Sequence, residues 1–219
     1  MPAQIQTGRN APGELFIWTD VDPAYEDDFN QWYDREHMQE RAAIPGFCWA
    51  RRYRALSGPR KYLAVYRTKE LNVFTSKPYQ TAFESQTSWS LTNFERMTNT
   101  NRRVMAVSVL AGGGTGSALA LVRLGNINNA EVVAARAEKV QKQMDGVVTL
   151  RILVPDEELS APLPSENIHG RLLEPILLID TTTEPVAEAA ARLISDELNL
   201  DNDSTATFSL LWDLQSDEL

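Results

Sequence analysis

The chain is expected to be an α+β protein made of two tandem ferredoxin-like (βαββαβ) units, and three observations carry that reading. Segments of strand and helix character follow one another in the same order twice, a glycine-rich stretch (Ala111-Gly112-Gly113-Gly114-Thr115-Gly116) falls between the two sets, and a length of 219 residues accommodates two fused small domains. Residues 1–13 carry Pro, Gly, Gln and Asn without periodicity and read as a loose arm. Glu14 to Thr19 is an apolar, aromatic run of strand length. Asp22 followed by Pro23 reads as an N-cap with proline in the first helical position; Tyr25, Phe29, Trp32, Tyr33 and Glu36 follow at helical spacing until Pro45-Gly46. Phe47 to Ala55 and Lys61 to Thr68, around Ser57-Gly58-Pro59, form a hairpin. Helical material broken at Pro78 then runs to about Met97, and Arg103 to Leu110 completes the first unit, 14–111.

Residues 112–116 are the linker. The second unit, 117–219, repeats the order: strand Ser117 to Leu124, helix Asn129 to Met144, strand Gly146 to Val154, strand Leu173 to Thr182, helix Thr183 to Leu198 with Pro185 in its first turn, and strand Thr205 to Leu214. The glycine run is not a phosphate loop, because such a loop must open a helix and Ala118 to Leu124 has strand character. A sheet of this kind has one face under helices and one bare face that must be buried. Two units satisfy each other as a pair of four-stranded antiparallel sheets in a barrel-like sandwich, closed within one chain or between two copies.

Composition narrows function. Lys plus Arg total 21 against 30 Asp plus Glu, a net charge of −9, which argues against nucleic acid and anionic membranes as partners. With 43% apolar and 23% charged residues the chain is globular, and its length allows a core that needs no disulfide or structural metal. Cys48 is the only cysteine, and the first residues lack the basic and apolar run of a signal peptide, so a cytoplasmic protein is expected. The ending Ser216-Asp217-Glu218-Leu219 and the sequon at Asn202 have meaning only in the secretory pathway. No apolar stretch is long enough to span a bilayer.

Strand alternation places Phe47, Trp49, Arg51 and Tyr53 on one face. With Leu63 and Val65 assigned beneath the helices, Tyr62, Ala64 and Tyr66 join that bare face, as do Phe16 and Trp18. The expected result is an aromatic-walled pocket with few polar groups, the usual build of a small-molecule site. Plain core or a dimer interface is the competing reading, but a dry core rarely collects several hydroxyls and a guanidinium. The matching segments of the second unit, Gly146 to Val154 and Leu172 to Asp180, hold one Arg and no aromatic residue, so the first unit is expected to bear the site. His37 lies roughly 40° and 80° round the helix from Tyr33 and Phe29, on the flank of the buried stripe. There it either moves a proton or pairs with a surface carboxylate. His169 has no supporting neighbours, Cys48 reads as a small core residue, and neither metal-ligand spacing nor a GxSxG elbow occurs.

Phe29-Asn30-Gln31-Trp32-Tyr33-Asp34-Arg35-Glu36-His37, Pro45-Gly46-Phe47, Arg51-Arg52-Tyr53, Lys61 to Tyr66 and Ser76-Lys77-Pro78-Tyr79 together resemble the EthD-like branch of the dimeric α+β barrel superfamily over about residues 14–110. The second half is similar only in its order of elements. That superfamily includes lactone isomerases, polyketide cyclases, cofactor-free monooxygenases, chlorite dismutases and proteins without assigned activity. The resemblance implies His37 as acid/base and Tyr53 as its hydroxyl partner. It implies no haem, because nothing here resembles the haem-ligating helix of the haem-binding members. The expected function is cofactor-independent proton transfer (isomerase, cyclase or lyase type) on a small aromatic or lactone-like carbonyl compound. Arg51 would hold a carboxylate or enolate, Tyr62 would donate a hydrogen bond, and Trp18, Trp49, Tyr66 and Trp89 would surround the substrate. The alternatives are a cofactor-free monooxygenase and a non-catalytic binding or assembly protein whose aromatic face is buried against a second copy in a homodimer.

Overall fold

A computed structural model describes residues 4–163 and 166–219; residues 1–3 of the expected arm and residues 164–165 of the loop before His169 lie outside the described residues. The first half runs β1 (Gly13–Val21), α1 (Glu26–Trp32), a π-helical turn (Tyr33–His37), α2 (Met38–Ala42), β2 (Phe47–Ser57), β3 (Tyr62–Thr68), α3 (Lys77–Glu84), α4 (Ser88–Arg96) and β4 (Met97–Gly112). The second runs β5 (Ala118–Arg123), α5 (Ile127–Gln143), β6 (Val147–Pro155), β7 (Ile176–Thr181), α6 (Glu184–Leu198) and β8 (Thr205–Gln215).

All eight strands are antiparallel and hydrogen-bond into one closed barrel, in the order β1-β3-β2-β8-β5-β7-β6-β4. The sheets are therefore not two separate layers facing each other: β2 pairs with β8, and the long β4 pairs with β1 through its first part and with β6 through its last. The barrel closes within a single chain. The glycine run lies at its rim, where a Cβ on Gly112 would meet the Val148 carbonyl oxygen at 1.9 Å and one on Gly116 the Thr181 carbonyl oxygen at 2.0 Å, so close backbone approach explains these two glycines.

One cluster draws on every strand and no helix, and is the barrel interior; Phe16, Trp18, Tyr53, Leu63, Val65 and Phe208 belong to it. The expected facing of β3 is thus reversed. Leu63 and Val65 point into the barrel, while Tyr62, Ala64 and Tyr66 lie beneath the helices. The register explains it: Arg51 stands opposite Val65 and Tyr53 opposite Leu63, and directly opposed residues share a face. Phe47 also parts from Trp49, because a bulge between them turns Phe47 under the helices against Phe74 and Tyr79. Pro78 opens α3 after the Ser76 N-cap instead of breaking a helix.

On the outer face of the second half, α5 and α6 pack through small residues such as Ala130, Ala137, Ala187 and Ala190, leaving the helices close to the strands. The first half meets its helices through Phe29, Trp32, Tyr33 and Tyr66, larger groups that cannot all interlock. A cavity remains there.

Candidate active site

Three acidic residues, Glu26, Asp27 and Asp28, open α1 and suit the positive end of the helix dipole. Phe29, Trp32 and Tyr33 then face the sheet. Within the π-helical turn the chain makes a wider loop, which brings residues five apart onto one face; an α-helix would separate them by about 140°. Trp32 and His37 consequently pack ring against ring, centroids 4.1 Å apart and planes tilted by 31°. Tyr33, Phe94 and Tyr66 close round the imidazole edge-on at 5.2, 5.8 and 6.2 Å.

The cavity has a volume of about 660 Å³, lies between the helices and the outer face of β1, β3 and β4, and is lined largely by apolar and aromatic side chains. Its polar groups are Tyr33, His37 and Arg41 at four-residue intervals on one helix, Tyr66 on β3, Tyr79 and Gln86 around α3, Arg102 on β4 and Glu95 at the exposed rim. His37 Nδ1 is buried with no hydrogen-bond partner among the described residues. Burial, reinforced by the positive charges of Arg41 and Arg52, holds the His37 pKa well below its usual value, so the ring is neutral at pH 7. Burial likewise pushes the Tyr66 hydroxyl well above the usual tyrosine range, with Tyr33 adding to the effect, so Tyr66 is an uncharged phenol available to donate. Arg102 donates to the Tyr79 hydroxyl at 3.1 Å, leaving the Tyr79 proton free to point elsewhere.

No protein-family model matches the chain, and no curated protein sequence does. Solved structures do match. An anthrone oxidase-like protein superposes with a TM-score of 0.63 at 10% identity, over 94% of each chain. A putative monooxygenase from Lactobacillus acidophilus gives 0.55 at 7% identity, over 94% of this chain and 97% of its own. A chlorite dismutase variant from Candidatus Nitrospira defluvii gives 0.53 at 10% identity, over 97% and 94%. The fold is the dimeric α+β barrel.

Within this α+β barrel the expected site residues divide. His37 and Tyr66 meet in the cavity outside the strands. Tyr62 is on the same face but away from the cavity lining; its hydroxyl donates to Glu26 at 2.5 Å, and Arg52 lies over its ring at 4.9 Å. Trp18 and Tyr53 are in the barrel interior, with half-buried Trp49 packed against them. Arg51 lies over Trp49 at 3.9 Å and pairs with Asp213 at 3.1 Å, so it is spent on an internal ion pair. Trp89, half-buried on α4, donates its indole N–H to the Asp28 carboxylate at 3.1 Å and does not line the cavity. The expected partnership of Tyr53 with His37 is therefore replaced: a barrel wall separates them, and Tyr66 and Tyr33 are the tyrosines beside the imidazole.

Sequence reasoning missed Tyr33, Arg41, Tyr79 and Arg102 as cavity groups. The signal for the first two was present: Tyr33, His37 and Arg41 recur every four residues, and an arginine on a helix face that is otherwise buried is costly unless it has a task. Among the described residues no group of three or more His, Cys, Asp or Glu stands in a metal-ligating arrangement, and no helix is long and apolar enough to cross a membrane.

Proposed function

We propose that the chain is a cofactor-independent enzyme that removes a proton from a small aromatic carbonyl compound, with His37 as the base. The observation that supports it is a neutral, partly unpartnered imidazole inside an aromatic-walled cavity of about 660 Å³, a size usual for small-molecule sites. A C–H bond beside the carbonyl would lose its proton to a His37 ring nitrogen. The electron pair moves onto the carbonyl oxygen, and Tyr66 or Tyr79 donates a hydrogen bond to the enolate that forms. Return of the proton at another carbon is isomerisation.

A second reading draws on the names of two structures that share the fold, the anthrone oxidase-like protein and the putative monooxygenase. There the carbanion gives electrons to dioxygen, a hydroperoxide forms at that carbon, and loss of water leaves a new carbonyl, so CH₂ plus O₂ becomes C=O plus H₂O. Both readings share the first step. We place the chain in the EthD-like branch, as a duplicated unit whose first copy, 14–111, holds the site and whose second, 117–219, completes the barrel.

Anthrone, an aromatic ketone with an acidic methylene, tests the shared step. In anaerobic D₂O, the protein should exchange those hydrogens at least about 100-fold faster than buffer, and His37→Gln should fall back to the buffer rate. Equal rates for the two proteins would remove His37 from the mechanism. Under air, oxygen uptake with anthraquinone formation selects the second reading over the first. A haem absorption band that appears with added haemin and is lost in His37→Gln would overturn the cofactor-independent part.

A further inference from the structure

We infer that the cavity is built for an aromatic carboxylate, its anionic group received by Arg41 and Arg102. The inference rests on the reading above in taking the bound molecule to be the substrate of that site.

The buried arginines elsewhere in the chain have acidic partners. Arg103 pairs with Glu166, which Arg171 also holds; Arg151 pairs with Asp180 and with Glu14 at 3.1 Å; Arg51 pairs with Asp213; and Arg52 reaches Asp34 at 3.5 Å. Arg41 and Arg102 depart from this pattern. Each is 5% exposed, and among the described residues neither forms an ion pair. Among the described residues Arg41 donates only to the Gln86 side-chain carbonyl, at 2.8 Å, and its buried Nε has no partner. Arg102 donates to the Leu159 and Ala161 carbonyls at 3.0 and 2.9 Å and to the Tyr79 hydroxyl, which leaves two of its five N–H groups uncommitted among the described residues.

Burying a guanidinium without a compensating charge is strongly unfavourable, so two of them facing one space mark a place where negative charge arrives with the ligand. Among the described residues the one acid in the lining is Glu95, which is exposed at the rim and leaves the interior positive. The remaining walls set the body of the ligand. Phe83, Phe94, Leu91 and Tyr66 present rings and methyl groups with few hydrogen-bonding atoms, which suits a flat hydrocarbon rather than a sugar or a peptide.

Calorimetry with 2-naphthoate and its neutral isostere 2-naphthamide tests this on the full chain. Naphthoate should bind at least about 10-fold more tightly than the amide at pH 7, Arg41→Met should reduce that preference at least about fivefold, and Arg41→Lys should keep most of it. Arg102→Met also loosens the 159–161 segment, so Arg41 carries the test. Equal affinity for the two probes, or a preference unchanged in Arg41→Met, would overturn the inference. His37→Gln separates the two claims, because it should keep the naphthoate preference while losing anthrone exchange. Exchange that depends on His37 with no naphthoate preference defeats the anion site alone; the preference without exchange defeats the catalytic reading alone.

Discussion

Tyr53 and Tyr66 are both buried phenols whose hydroxyls make no hydrogen bond of normal geometry, and they face opposite sides of one sheet. Tyr53 points into the barrel near Asp180 and Arg151; burial first, then the Asp180 charge, pushes its pKa far up, so it stays protonated at neutral pH. Tyr66 faces the cavity beside His37. Tyr53→Phe should therefore change anthrone exchange by less than about twofold and stability by no more than about 1 kcal/mol, since it removes a hydroxyl without leaving a partner unmet. Tyr66→Phe should slow exchange about 10-fold or more at similar stability. Exchange rates and urea unfolding of the two variants decide it, and the reverse ranking would return the site to the barrel interior. Alternation made the two sets of side chains legible in the sequence, but not which set faces inward. That was fixed by the hairpin register that sets Tyr53 opposite Leu63, in which one residue of slip exchanges every face.

Elements with local chemical signals were legible, and those made by tertiary contacts were not. Asp22 accepts a hydrogen bond from the Ala24 N–H at the start of the turn leading into α1, as the Asp-Pro pair predicts. The π-helical turn has no such signature, because it is held by the rings that pack round it; without it, His37 cannot pack against the Trp32 ring. Helix α4 is anchored in a comparable way. The Thr87 hydroxyl accepts from the Ser90 N–H at 3.0 Å and donates to Glu36 at 2.6 Å, fastening α4 to the turn that carries His37. Thr87→Ala should cost about 1–2 kcal/mol, whereas Ser76→Ala, whose cap is longer at 3.4 Å, should cost less. Glu36→Gln measured with Thr87→Ala in a double-mutant cycle should show that part of the loss is shared between them. Additive losses would mean that the cap acts on α4 alone.

Closing the barrel in one chain places charge where water is scarce, and this gives the whole molecule a characteristic response to acid. Inside the barrel, burial raises the Glu14 carboxyl, but Arg151 and Arg67 outweigh it and hold its pKa below the usual value. Glu14 therefore contributes stability that is present above about pH 4.5 and lost as pH falls below it. His37 titrates in a different window. Its pKa in the folded protein is lowered from 6.5, so the unfolded chain takes up the proton first, and stability falls as pH drops from about 6.5 towards the folded value. The slope there is at most about 1.4 kcal/mol per pH unit for one proton. Urea unfolding at half-unit steps between pH 7.5 and about pH 3.5 should show wild type losing stability from about pH 6.5 downward while His37→Gln stays nearly flat to about pH 4.5, below which both lose the Glu14 contribution. Parallel curves over the whole range would mean that the imidazole is hydrated and titrates as it does in water. The cavity would then be too wet to hold the neutral base on which the proposed chemistry depends.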